Sequence, residues 1–164
     1  MFYLSHRDTI KSLIDAANRG VNIKLILDPN KDAFGRKKNG IPNRQVAQEL
    51  RDKTNNEIQV KWYDTHGEQF HTKMVFIEKN NKSIIISGSA NLTRRNIDDY
   101  NLETNLLIKT NSDTKLNNDV KNYFNRIWSN EDGYYTVEYD EYKTESLIKT
   151  IIYRIQELTG SSTF

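Results

Sequence analysis

The sequence predicts an α/β protein in which a mixed β-sheet is flanked by helices. Three observations carry that expectation. Short β-rich runs alternate with helical apolar periods as far as Trp62. A polar connection, Lys79-Asn80-Asn81-Lys82, joins two further strand-like runs and has the length and composition of a hairpin turn. Two more helical periods follow in the second half, separated by a tyrosine-rich segment.

The elements are read in order. Phe2 to Leu4 resemble the end of a strand, and Ser5 is the expected N-cap of a helix carrying Ile10, Leu13, Ile14 and Ala17 on one face and stopped by Gly20. A strand is expected over Val21 to Leu27, ending in Asp28-Pro29-Asn30. A polar stretch to Pro42 then carries Arg36, Lys37 and Lys38. A helix from Arg44 to Lys53 turns Val46, Ala47 and Leu50 inward, and Ile58, Val60 and Trp62 alternate as a strand does. This β-α-β-α-β order favours parallel pairing.

Strands are next expected over His71 to Glu78, Ser83 to Ser87 and Leu102 to Lys109, the first two antiparallel. A helix with Leu116, Val120, Tyr123, Phe124 and Ile127 on one face leads to the Gly133 turn. The tyrosines from Tyr134 to Tyr142 alternate as in a half-buried strand, and an amphipathic helix with Leu147, Ile148, Ile151, Ile152, Ile155 and Leu158 closes the chain. A three-residue first strand is short for a central one, so Met1 either begins a short edge strand or lies inside a longer natural protein.

A length of 164 residues suits one core, and neither repeat nor linker interrupts it, so residues 1–164 are read as a single domain. The hydrophobic fraction, 36%, is lowered by Lys and Asn without loss of the periodic apolar segments. The absence of cysteine excludes disulfides, thiolate metal sites and a cysteine nucleophile. No apolar run approaches bilayer-spanning length, and the chain as given is expected to be soluble. A net charge of +2 does not by itself argue for nucleic acid or an anionic membrane.

The chemistry concentrates at His71-Thr72-Lys73. Strand alternation would place the imidazole of His71 and the ammonium of Lys73 on one face, a pair suited to a phosphate. The next strand ends in Ser87-Gly88-Ser89-Ala90-Asn91, where Ser89 and Asn91 offer a hydroxyl and an amide beside the same spot. Glu103 is expected to orient the His71 ring by accepting its second N–H. Arg94 and Arg95 are placed to meet a second phosphate or an acidic headgroup. His6 either lines the site from a helix N-terminus or lies on the surface. The basic run at Arg36 is expected to be a solvated loop. His66, Glu68 and His71 have no recognised metal-ligand spacing, and neither a metal nor a cofactor is expected.

These residues resemble the phospholipase D superfamily, whose motif runs His-x-Lys, four residues, Asp, then Gly-Ser-x-Asn and an acidic residue. Here the match is His71, Lys73, Glu78, Gly88-Ser89-Ala90-Asn91 and Glu103. A looser similarity, to the C-terminal halves of bacterial phospholipase D-like and cardiolipin-synthase-like proteins, covers most of the chain. The resemblance implies an α-β-α sandwich and phosphodiester hydrolysis or transphosphatidylation on a phospholipid through a phosphohistidine. His71 would be the nucleophile or its acid/base partner, Lys73 and Asn91 would bind phosphate oxygens, and Ser89 and Glu103 would support them.

Two departures from the pattern stand out. Glu78 replaces Asp, at a position expected to point away from the His71 face and to be structural. The superfamily site also uses two facing motif copies, and neither His6-Arg7-Asp8 nor His66-Gly67-Glu68 supplies the second. The missing group is expected from an N-terminal half of a longer, membrane-associated protein or from a second copy in a homodimer. Two alternatives remain: a nuclease of the same superfamily, and a non-catalytic half-domain that binds phosphate and docks a partner.

Overall fold

The computed structural model describes residues 1–33, 36–98, 100–144 and 146–159. Helix α1 (Arg7–Asn18) is followed by β1 (Lys24–Leu27), β2 (Asp32–Ala33), β3 (Arg36–Lys37) and α2 (Asn43–Lys53). Next come β4 (Gln59–Tyr63), β5 (Met74–Lys79), β6 (Lys82–Gly88), the short α3 (Arg94–Ile97) and β7 (Asn105–Asn111). The chain continues through α4 (Lys115–Trp128), β8 (Thr136–Glu138), a 3-10 turn over Tyr139–Glu141 and α5 (Leu147–Thr159). The fold is α/β, as the alternating periods predict.

Six of the described strands divide between two three-stranded sheets, and β2 and β3 form a separate two-stranded ribbon, in place of the single mixed sheet expected. β1 pairs in parallel with β4, and β4 antiparallel with β8. β5, β6 and β7 form an antiparallel sheet, with the Asn80-Asn81 turn in the left-handed region at φ 49° and 60°, as a tight hairpin requires. The N-terminal segment lies between the sheets. On one side the Asp28 N–H donates to the Met1 carbonyl at 3.0 Å, and on the other the Leu92 N–H donates to the Tyr3 carbonyl at 3.1 Å. Leu4 bridges Leu92 in parallel. Met1 to Ser5 thus run between the end of β1 and Leu92, held by backbone hydrogen bonds on both sides without forming a strand of either sheet.

The main core joins Leu4, Ile10, Leu27, Val46, Leu50, Ile58, Trp62 and Tyr153, and a smaller one joins Ile26, Phe70 and Ile127. Val46, Ala47 and Leu50 of α2 are buried as their spacing predicts. Gly20 follows α1 at φ +85°, a conformation that favours glycine.

Several sequence expectations are corrected. His6 is the N-cap residue of α1 and makes no side-chain cap bond, while the Ser5 hydroxyl donates to Glu157 at 2.8 Å. β1 begins only at Lys24 and β7 only at Asn105, leaving Leu102 and Glu103 ahead of it. The tyrosine-rich segment supplies only the three-residue β8 before turning into a 3-10 helix, because Thr136 and Tyr135 are tied back to the Asn130 side chain. The basic run is exposed at Arg36 and Lys37, which form a two-residue ribbon with Asp32 and Ala33. Most unusual is α5, whose apolar residues face outward; its buried residues are Tyr153 and Glu157.

Candidate phosphate site

A lattice of buried amides fixes the floor of the site. The Asn43 side chain, fully buried on α2, donates to the carbonyls of Phe2 and Asp28, both at 2.8 Å, and accepts from the Leu4 N–H at 2.9 Å. Asn30 donates to the same Phe2 carbonyl at 3.0 Å. Asp28, at the C-terminal end of β1, accepts from the N–H groups of Asn30 and Phe70, both at 2.7 Å. Burial pushes its carboxyl up, against the lowering effect of those N–H groups. The end of β1, segment Met1–Leu4 and the loop leading to His71 are therefore pinned together.

On this floor stands the Phe2 ring. Its centroid lies 4.9 Å from that of His71, and the Lys73 Nζ lies 5.5 Å from it. Lys73 is 7% exposed, and its ammonium donates to the His71 carbonyl at 3.0 Å. β5 starts only at Met74, so strand alternation is not what pairs the two residues. Convergence on Phe2 pairs them. Burial lowers the pKa of Lys73 while Glu103 opposes the shift; burial, then Lys73, lowers that of His71. The result is an imidazole biased towards its neutral form beside a cation.

The hairpin brings in the second motif. Met74 pairs with Ser87, and the Gly88 N–H reaches the Lys73 carbonyl at 3.4 Å. A Cβ at Gly88 would collide with the Thr104 carbonyl and with Asn105, so only glycine fits where β6 and β7 approach. Ser89 N–H donates to the Thr104 carbonyl at 3.0 Å, and its hydroxyl makes a short hydrogen bond to Glu103. Asn91 accepts from the Tyr3 N–H at 3.3 Å through Oδ1, which leaves its NH2 group as a donor. His71, Lys73 and Asn91 thus meet around Phe2 and Tyr3, with Ser89 and Glu103 close enough for Glu103 to act electrostatically on Lys73.

A family model described as "Cardiolipin synthase, PLD-like domain" matches residues 1–128, which include the whole His71 to Glu103 constellation. The chain belongs to the phospholipase D superfamily. Comparison with curated proteins gives no match. In this phospholipase D-like domain the position that departs from the motif, Glu78, lies on β5 and pairs with Lys121 of α4 at 3.0 Å in an exposed ion pair.

Other sequence candidates sit differently from expectation. Glu103 is taken up by Ser89 and by the Asn96 amide and does not orient the His71 ring, whose nitrogens make no hydrogen bond among the described residues. Arg94 is spent on α5, donating through its guanidinium to the Glu157 carbonyl and through its N–H to the Glu157 carboxylate at 2.9 Å. Arg95 reaches the Asn101 side chain at 3.5 Å. Both ring nitrogens of His6 are occupied, Nδ1 by Thr9 at 2.9 Å and Nε2 by Asp98 at 3.3 Å. His66 is exposed and pairs with Asp64 at 3.5 Å. Among the described residues no group of three His, Asp or Glu side chains is gathered to hold a metal ion.

Sequence reasoning passed over Phe2, Asp28, Asn30 and Asn43. The available signal was Asp28-Pro29-Asn30 at a strand's carboxyl end, where open α/β folds place their sites. It also passed over a cleft of about 410 Å³ beside His71, lined by Tyr63, Phe70, Tyr123, Arg126 and Tyr135. Tyr63 and Phe70 stack there at 4.4 Å, with 5° between their planes.

Proposed function

We propose that this domain carries out phosphodiester hydrolysis or transphosphatidylation on a phospholipid, with His71 forming a phosphohistidine. In the first step an imidazole nitrogen attacks phosphorus; the N–P bond forms as the P–O bond to the leaving alcohol breaks, and that oxygen takes a proton from a facing acid. In the second step water or an acceptor alcohol, losing its proton to that same group, attacks phosphorus and releases His71. Lys73 and the Asn91 amide neutralise the equatorial oxygens. Ser89 and Glu103 hold the turn and keep Lys73 charged.

The observation that carries this reading is the pairing of His71 and Lys73 across the Phe2 ring, because it places a neutral-biased nucleophile beside a partly desolvated cation. One imidazole cannot hold the phosphoryl group and protonate the leaving oxygen at once, so the facing acid is assigned to a second motif-bearing half or a second copy. The test is turnover of a defined phospholipid by the assembled protein, with acid-labile, base-stable phosphate trapped on His71. Failure to trap it during turnover, or full turnover by His71→Ala, overturns the reading.

The aromatic cleft beside His71 supports a second reading, a nuclease, since stacked aromatic walls hold bases with little regard to sequence. Parallel turnover of phospholipid and single-stranded DNA separates the two.

A further inference from the structure

The antiparallel sheet of β5, β6 and β7 has two faces of different character. Its register puts Val75, Ile86 and Leu107 in one cross-strand row, Ile77, Ile84 and Lys109 in the next, and Lys79, Lys82 and Asn111 in the last. Strand alternation turns all of these to the same side. The opposite side carries Glu78 and Thr110, which meet Lys121 of α4 and its N-cap Thr114. That side belongs to α4. The first side is open: Ile77 and Leu107 are 50% and 58% exposed, Val75, Ile84 and Ile86 are half-buried, and the three lysines are exposed. No carboxylate stands at any of its positions, and Lys82 donates to the neutral Asn111 side chain at 2.6 Å. The chain's net charge of +2 hides this one-signed face.

We infer that this face is the surface by which the domain rests on an anionic phospholipid bilayer, its aliphatic rows entering the headgroup layer and its lysines meeting lipid phosphates. An exposed apolar patch with a polar rim marks a docking surface, and two observations select the occupant.

The first is composition. A bilayer favours buried apolar area and cationic charge together, and each lysine held near an anionic surface adds to the attraction. Protein interfaces are instead enriched in aromatics, Met and Arg and depleted in Lys. The open face has three lysines and none of the other types. Single-stranded nucleic acid is set aside on the same ground, since its bases need aromatic platforms that this face lacks.

The second is placement. β6 runs from Lys82 to Gly88, roughly 20 Å at the rise of a strand. The lysines mark its first end. At the other end the Gly88 N–H reaches the Lys73 carbonyl at 3.4 Å. A sheet lying on the bilayer therefore brings the loop of His71 and Lys73 to the headgroup layer, where a phospholipid presents its phosphodiester. In this the inference rests on the phospholipid reading of the site; the docking itself is measured without turnover.

The experiment is co-sedimentation of the chain with vesicles of phosphatidylglycerol mixed with phosphatidylcholine, and with vesicles of phosphatidylcholine alone. Wild type, Lys79→Gln/Lys82→Gln/Lys109→Gln, Ile77→Ser/Leu107→Ser and Ile151→Asp are compared, with circular dichroism on each. Ile151, exposed on α5, is the control for apolar surface elsewhere. The wild type is expected to bind the anionic vesicles, less tightly as salt rises. The lysine variant should lose on the order of a hundredfold in affinity, about fivefold for each charge. The aliphatic variant should lose roughly tenfold or more, and the control nothing. If the aliphatic variant does not fold, the lysine variant, altered only at exposed positions, still decides. A folded wild type that leaves the anionic vesicles unbound, a lysine variant that binds them undiminished, or loss of binding in the α5 control would each overturn the inference. So would equal affinity for phosphatidylcholine alone, or lysine-dependent capture of single-stranded DNA without vesicle binding. Vesicle binding with no phosphodiester turnover by the assembled protein would sink the proposed function and leave this surface standing. Turnover of a detergent-dispersed phospholipid by a protein that ignores vesicles would do the reverse.

Discussion

The Lys73 ammonium donates a 3.0 Å hydrogen bond to the carbonyl oxygen of His71, so the two side chains proposed to handle phosphate are tied through the backbone that separates them. Lys73 thereby shapes the loop as well as the charge of the site. Its substitution should move both, and the two effects can be measured apart.

Lys73→Met keeps the stem that packs beside Phe2 and deletes the charge. Turnover by the assembled protein is expected to fall by about 10² or more, the scale of losing one electrostatic group at a developing charge. His71→Ala should lose about 10² to 10⁴. Thermal melts should change little for His71→Ala, since its exposed ring anchors no core. A His71→Ala variant that turns over at more than a few per cent, or that no longer folds, contradicts the assignment.

Burial and Lys73 together hold the His71 pKa below its ordinary value. The sign follows directly: the folded state resists protonation, so the ring stays neutral at a pH where a free histidine already titrates, and stability from this group falls as pH drops below about 6.5. An NMR titration should place His71 below that value. In Lys73→Met, with the repelling charge gone, the midpoint should rise.

Glu103 raises the pKa of Lys73 against the lowering effect of burial. Lys73 binds phosphate as a cation, so activity should decline as pH rises through its pKa. In Glu103→Gln that alkaline limb should move to lower pH, while binding at neutral pH weakens modestly. A pH profile of kcat/KM decides it; an unshifted limb would mean that Glu103 acts only on the Ser89 turn.

Asn43 satisfies three backbone groups around Phe2 from a site with no exposure. Asn43→Leu strands the Leu4 N–H and the Asp28 carbonyl, at about 1 to 3 kcal/mol per stranded group before relaxation, while Asn30 still donates to the Phe2 carbonyl. Urea denaturation should show a loss of at least about 2 kcal/mol. Because the Phe2 carbonyl then keeps only its Asn30 donor, the Phe2 ring should be held less firmly beside His71 and Lys73.

Much of this was legible in the sequence, and what was not has physical reasons. The hairpin, α2 and the His71 to Asn91 motif follow from local spacing and turn chemistry, and local rules suffice where neighbours in sequence are neighbours in space. Phe2 as platform, Asn43 as clamp and Asp28 as anchor depend on contacts between residues far apart in the chain. Arg94 looked available because it follows the Gly88 turn, and only the course of α5 shows its guanidinium taken. Periodicity showed α5 to be amphipathic. It carries no sign for inward or outward, so the helix's inversion could come only from its polar partners.

Those partners make the last prediction. Glu49 on α2 is bound by Arg7 of α1 at 2.8 Å and by Tyr153 and Arg154 of α5. Burial pushes its carboxyl up, but the Arg7 fork, Arg154 and the Tyr153 hydroxyl outweigh that and hold its pKa at about 2. Its ordinary value in the unfolded chain is 4.5. A depressed carboxylate gives stability that is complete above about 4.5 and is lost as pH falls towards about 2; the difference corresponds to on the order of 3 kcal/mol. This group joins three helices, and of the described α5 residues only Tyr153 belongs to the main apolar core, so α5 should detach before that core melts. Hydrogen exchange followed from about pH 5 down to about pH 2.5 should show protection lost first in α5 and later in α2 and β4. Glu49→Gln should loosen α5 at neutral pH and flatten its acid dependence, since nothing at that position is left to titrate. Simultaneous loss of protection in all three elements, or an unchanged acid response in Glu49→Gln, would show that α5 is held by something other than this carboxylate.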